Sequence, residues 1–82
     1  MITASFDDKF RETFSKIKDI HLKERIIKQI QKIKENPEVG KPMKYDRKGS
    51  RELYISPFRL SYVCIASEQK VIILDLYHKD KQ

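Results

Sequence analysis

A strand, two helices and then three strands, with the helical pair laid on one face of a small antiparallel sheet, is the α+β architecture this sequence predicts. Three observations carry it. Apolar residues recur at helical spacing between positions 6 and 33, and at strand spacing from position 51 onward. Between the two regimes lie both glycines and two of the three prolines. With 82 residues the chain is expected to form one domain, residues 1–82, with no room for a second core.

The elements follow in order. Ile2 to Ser5 is a short opening strand. Phe6, Phe10, Phe14 and Ile17 then form one helical stripe, so the first helix is expected over 6–18. Ser5 with Asp8 three residues later resembles a capping pair, and Asp7 and Asp8 suit the positive end of the helix dipole. A second helix begins near His21 and ends at Asn36-Pro37, with Leu22, Ile26, Ile27, Ile30 and Ile33 as its buried stripe. Asn36 reads as a left-handed cap, and Pro37 cannot continue the helix. "PEVGKPMKYDRKGS", residues 37–50, is a connecting loop. "RELYIS", "FRLSYVCIA" and "KVIILDLYH" are strands, separated by Ser56-Pro57 and by Ser67-Glu68-Gln69.

Composition narrows the function classes. Eighteen Lys+Arg against twelve Asp+Glu leave a net charge of +6 and a pI near 9.5, which favours a polyanionic partner, either nucleic acid or an acidic protein. A single cysteine, Cys64, excludes an internal disulfide framework, fits a reducing compartment and is expected in the core. The opening "MITASFDDKF" is acidic where a signal peptide is basic and then apolar, and no apolar run reaches the roughly 20 residues of a membrane span. A cytoplasmic protein without membrane association is expected. Two histidines and one cysteine, far apart, offer no metal-ligand spacing, and no glycine loop cradles a phosphate. Neither a metal nor a small-molecule cofactor is expected.

The strands direct attention to Arg59. If the first hairpin turns at Ser56-Pro57, Ile55 faces Phe58, Tyr54 faces Arg59 and Leu53 faces Leu60. One face then carries Leu53, Ile55, Phe58, Leu60 and Tyr62, and the other Glu52, Tyr54, Arg59 and Ser61. The last strand sorts into Ile72, Leu74 and Leu76 against Ile73, Asp75 and Tyr77. Arg59 thus belongs to the face the helices leave open, with Tyr54 and Tyr77 beside it. Two readings stand: Arg59 pairs with Glu52 or Asp75 across the sheet, or it is displayed to a phosphate backbone. Lys41, Lys44, Arg47, Lys48, Arg51, Lys79 and Lys81 form a basic rim that suits the second. Arg25, Lys28 and Lys32, on the outer side of the second helix, read as a solvated stripe or a further nucleic-acid contact.

The segment "GSRELYISPFRLSYVCIASEQKVIILDLYHKDK", Gly49 to Lys81, resembles the small toxins of the RelE/ParE superfamily from toxin–antitoxin pairs. The shared pattern is a strand, a short turn, an aromatic-Arg-x-x-Tyr strand, here "FRLSY", and a final apolar strand ending in a histidine and basic residues. The preceding helical hairpin, ending in "NP" before a Gly/Lys-rich loop, matches the family layout. The resemblance implies a RelE-like fold and the toxin of a type II pair. In RelE-type members it implies a ribosome-dependent endoribonuclease that enters the A site and blocks translation. Such an enzyme cuts mRNA without metal, through attack of the 2′-OH on the adjacent phosphate. It further implies Arg59 at the scissile phosphate and His78 as acid or base; beside them Tyr54 is expected to position or stack, and Tyr77 is a base-stacking candidate. Lys44, Arg47, Lys48, Arg51, Lys79 and Lys81 would hold the RNA backbone, and a cognate antitoxin would cover this face. The chain departs from RelE in carrying Glu52 and Tyr54 where RelE has strand lysines. A ParE-type, non-enzymatic inhibitor of DNA gyrase is the alternative implied, as is a catalytically silent scaffold that binds antitoxin or nucleic acid.

Overall fold

The change from helical to strand periodicity is realised as two helices against one five-stranded sheet. The computed structural model describes residues 2–43 and 49–80. The chain runs β1 (Thr3–Phe6), α1 (Asp8–Lys16), α2 (Ile20–Glu35), β2 (Lys41–Pro42), β3 (Ser50–Ile55), β4 (Phe58–Ile65) and β5 (Lys70–His78), with a short 3-10 turn at Ala66–Glu68. The sheet order is β1-β5-β4-β3-β2. This is the expected α+β architecture with two differences. β1 pairs parallel to β5, from Thr3 opposite Lys70 to Phe6 opposite Ile73, so the sheet is mixed and not wholly antiparallel. The loop also contributes a two-residue edge strand, with Lys41 opposite Glu52 and Pro42 opposite Arg51.

Local chemistry explains where the helices begin and end. Phe6 is spent on β1, so α1 starts two residues later than its aromatic spacing suggests. Its cap is Asp7, which accepts the Lys9 N–H at 3.1 Å, and not a Ser5–Asp8 pair. Asp19 caps α2 by accepting from His21 and Leu22 at 2.9 and 3.2 Å. At the far end Asn36 is extended (φ −144°), not left-handed, and its side-chain oxygen takes the Glu38 N–H at 3.2 Å. Leu22, Ile26, Ile30 and Ile33 face the sheet as expected. Ile27, one residue round the helix, is instead 49% exposed and lines a shallow apolar groove with Phe6, Phe10 and Phe14. The rings of Phe6, Phe10 and Phe14 stack in succession with centroids 5.5 Å apart.

The expected hairpin register holds through Leu53–Leu60, Tyr54–Arg59 and Ile55–Phe58, around a cis Ser56–Pro57 peptide. β5 departs from simple alternation. Ser61 opposes Asp75 but Tyr62 opposes Ile73, so Leu74 is an extra residue, a β-bulge. The bulge lets Val71, Ile73 and Leu76 all point into the core despite their odd and even positions. Ile72 consequently lies on the open face, opposite its expected side. Cys64 packs against the core but is half-buried rather than enclosed.

Tyr62 ties the core to the loop after α2. Its ring is fully buried, its hydroxyl donates to the Pro37 carbonyl at 2.7 Å, and it accepts the Gly40 N–H at 2.9 Å. Gly40 has to be glycine here, because an added Cβ would sit 2.7 Å from that hydroxyl and 2.9 Å from the Glu52 carbonyl. Burial pushes the Tyr62 phenol above its ordinary pKa, opposed in part by the Gly40 N–H and by Arg51. Among the described residues, no helix is long and apolar enough to cross a membrane.

Candidate nucleic-acid interface

The open face of β3, β4 and β5 is organised in cross-strand rows. Tyr54, Arg59 and Tyr77 form one row, and Glu52, Ser61 and Asp75 form the next. Lys41 extends the second row from the edge strand, opposite Glu52. Strand alternation therefore places a guanidinium between two phenols, directly beside a carboxylate. Ser61 is small and buried beneath this layer, which leaves room for longer side chains to meet above it.

Glu52 is the centre of the group. Arg59 Nη1 donates to its Oε1 at 2.8 Å, and the Tyr77 hydroxyl donates to its Oε2. The guanidinium also lies over the Tyr54 ring, 5.6 Å from its centroid, a cation–π contact. The first of the two readings of Arg59 is thus realised, with Glu52 and not Asp75 as the partner. Asp75 turns its carboxylate to the Leu76 N–H at 2.8 Å. The pair is only partly withdrawn from water, with the arginine side chain 33% exposed and the glutamate 15%. Arg59 Nε is buried and has no hydrogen-bond partner among the described residues. Tyr54 is half-exposed, and its phenol is held below the ordinary value, first by the hydrogen bond with Ser56, which desolvation opposes, and further by Lys79 and Arg59.

The other expected site residues divide. Lys79 joins the open face, where its ammonium acts on the Tyr54 phenol and its backbone N–H donates to the Pro57 carbonyl at 3.0 Å. Tyr77 lies on this face as expected, but it reaches Glu52 rather than standing free. Arg51 does not join: register places it on the helix side opposite Tyr62, where its Nη1 donates to the carbonyls of Gly40 at 2.7 Å and Glu38 at 3.2 Å. It braces the loop after α2. His78 also sits on the other side, opposite Phe58, with the two rings edge-to-face at 5.8 Å. Its Nδ1 lies 3.3 Å from the Asp80 N, which donates to it, and the Asp80 carboxylate at 3.7 Å is too far for a direct hydrogen bond. Lys44, Arg47, Lys48 and Lys81 lie outside the described residues. No group of three or more His, Cys, Asp or Glu suited to a metal occurs among the described residues.

Lys41 belongs to the expected basic rim, but its strand is too short for any periodicity to reveal its place opposite Glu52. The role of the Tyr62 hydroxyl was not singled out from sequence. Tyr62 carried a usable signal, because a tyrosine inside an apolar stripe needs a partner for its hydroxyl.

Chemically, the face offers a cation, a carboxylate able to accept a proton, a phenol of lowered pKa and a second cation, all against aromatic surface. The model of the family described as the ParE toxin of the type II toxin–antitoxin system parDE matches residues 2–82. No curated protein matches the chain. Among solved structures, a RelBE toxin–antitoxin complex from Mycobacterium tuberculosis is similar at 21% identity and a TM-score of 0.83, covering 95% of this chain and 98% of its own. A YoeB/ParE toxin from Agrobacterium tumefaciens is similar at 19% identity and 0.84, over 94% and 98%. The isolated E. coli RelE toxin gives 17% and 0.81, over 100% and 88%. At these identities the structural likeness speaks for the fold.

Proposed function

Since the chain belongs to the ParE toxin family of type II toxin–antitoxin systems, within the RelE/ParE superfamily, we propose that it acts as a ribosome-dependent, metal-independent endoribonuclease on mRNA. The observation that carries this reading is the cation–carboxylate pair of Arg59 and Glu52, 2.8 Å apart on an open, aromatic-lined sheet face. Cleavage by the 2′-OH needs an acceptor for its proton, positive charge for the phosphorane oxygens and a donor for the departing 5′-oxygen. Arg59, with Lys79, supplies the positive charge. Glu52 takes the 2′-OH proton. Tyr54, its phenol acidified by its neighbours, protonates the leaving oxygen, and Tyr77 orients Glu52. This reading moves proton transfer away from His78, which shares a face with Phe58. The antitoxin partner implied by the family would cover the same basic face.

Primer extension on mRNA translated by purified ribosomes tests it, with wild type beside Arg59→Ala and Glu52→Gln. A-site cuts that vanish in both variants are expected. Full cutting by Arg59→Ala would refute the assignment. A second reading, a non-enzymatic gyrase inhibitor, draws on the ParE family match and on the charge of Arg59 already being met by Glu52. Absence of mRNA cuts together with loss of gyrase supercoiling activity would favour it.

A further inference from the structure

The arginine proposed to receive phosphate already holds an anion. Glu52 binds it through one oxygen only, the other being taken by the Tyr77 hydroxyl. Attachment is therefore single-point, and Arg59 Nε–H is left without a partner among the described residues. A phosphate presents several oxygens and can engage two guanidinium donors at once, geometry that a lone carboxylate oxygen cannot match. The pair is also close enough to solvent for exchange, since a third of the arginine side chain remains exposed.

We infer that Glu52 is a resident counter-anion that masks Arg59, so that a nucleic-acid phosphate gains this arginine only by displacing the carboxylate. The inference rests on the nucleic-acid reading above for its ligand, although the mask itself does not. Exchange has a consequence for the proposed chemistry. The carboxylate is released beside the incoming phosphate, with Tyr77 still holding its far oxygen. Glu52 is thereby a specificity-determining residue: it resists weak single-point anions and yields to a ligand that satisfies Arg59 more fully. Its near neighbours on this face are Tyr54, Tyr77, Lys41 and Ser61, and none of these would itself replace the lost negative charge.

Two measurements on the full chain separate the mask from the nucleic-acid reading. The first is ligand-free: modification of each arginine by phenylglyoxal, followed by peptide mass spectrometry, in wild type and in Glu52→Gln, which keeps the shape of the side chain. Arg11 and Arg25, both exposed, serve as internal standards. Removing the charge is expected to raise the Arg59 rate about threefold or more while leaving the standards unchanged, as expected for loss of a partly buried ion pair. An unchanged Arg59 rate overturns the mask, whatever nucleic acid does.

The second measurement is binding of a short oligouridylate by fluorescence anisotropy across salt concentrations. Glu52→Gln should bind about fivefold tighter and steepen the salt dependence by about 0.7 in log–log slope, because in wild type the displaced carboxylate offsets the neutralisation of one phosphate on a single strand. Glu24→Gln, the same charge change on an exposed position of α2, should leave that slope unaltered. Arg59→Ala should cost little in the wild-type background and cancel the gain in the Glu52→Gln background, a non-additivity diagnostic of coupled sites. An equal cost in both backgrounds overturns the mask. Arg59 unmasked in the first measurement, with no oligouridylate bound by any variant, would uphold the mask and remove the nucleic-acid reading.

Discussion

Taking one oxygen from Tyr62 tests how the loop after α2 is held. The Tyr62→Phe variant keeps the fully buried ring and loses two hydrogen bonds, to the Pro37 carbonyl and from the Gly40 N–H. The Gly40 N–H lies in a buried contact, and a buried donor left unpaired costs about 1–3 kcal/mol. The Pro37 carbonyl is only part-buried and regains water, so its loss adds about 0.5 kcal/mol. The sum is about 2 kcal/mol, which for a domain of this size lowers Tm by about 8–16 °C. Urea unfolding followed by circular dichroism should show the midpoint falling with the slope m unchanged. A loss under about 0.5 kcal/mol would refute the role assigned to the hydroxyl.

The same variant has a pH signature. Burial raises the folded-state pKa of Tyr62 above the ordinary phenol value of 10.0, so the folded protein holds this proton more tightly than the unfolded chain. That contribution is fully present below the unfolded value and is lost as pH rises through the folded one. The stability gap between wild type and Tyr62→Phe should therefore narrow above a pH of about 10. A gap that stays constant there would contradict the attribution to burial.

Other perturbations follow from the same contacts. Gly40→Ala forces a Cβ against the Tyr62 hydroxyl and the Glu52 backbone, and thermal melts should show a loss of about 2 kcal/mol or more. Arg51→Met releases the Glu38 and Gly40 carbonyls; it should cost about 1 kcal/mol in urea while leaving the salt dependence of RNA binding unchanged. Arg59→Ala strands Glu52 without its counter-charge and should cost about 1–2 kcal/mol, discounted for the exposure of the pair. Adding Glu52→Gln should recover part of that loss in a double-mutant cycle, and strict additivity would argue against the pairing.

Period and punctuation in the chain determine much of this protein. The alternation from position 51, broken by Ser56-Pro57, specifies the register of β3 against β4, because a one-residue slip would turn Leu53, Ile55 and Leu60 out to water. That register alone puts Arg59 and Tyr54 on the open face, and the i, i+4 spacing of Leu22, Ile26 and Ile30 turns α2 toward the sheet. Tertiary structure decided the rest. The parallel partner of β1 is a contact between chain ends some 67 residues apart, from Thr3 to Lys70, with no local signal. The bulge at Leu74 answers the demand that Val71, Ile73 and Leu76 share one core, which no period of two expresses. The choice of Glu52 over Asp75 as the partner of Arg59 turned on three-dimensional details: the reach of Tyr77, the space above Ser61 and the capture of Asp75 by a backbone N–H. Side-chain pairing depends on which competing donors lie within about 3 Å, and only the assembled sheet sets those distances.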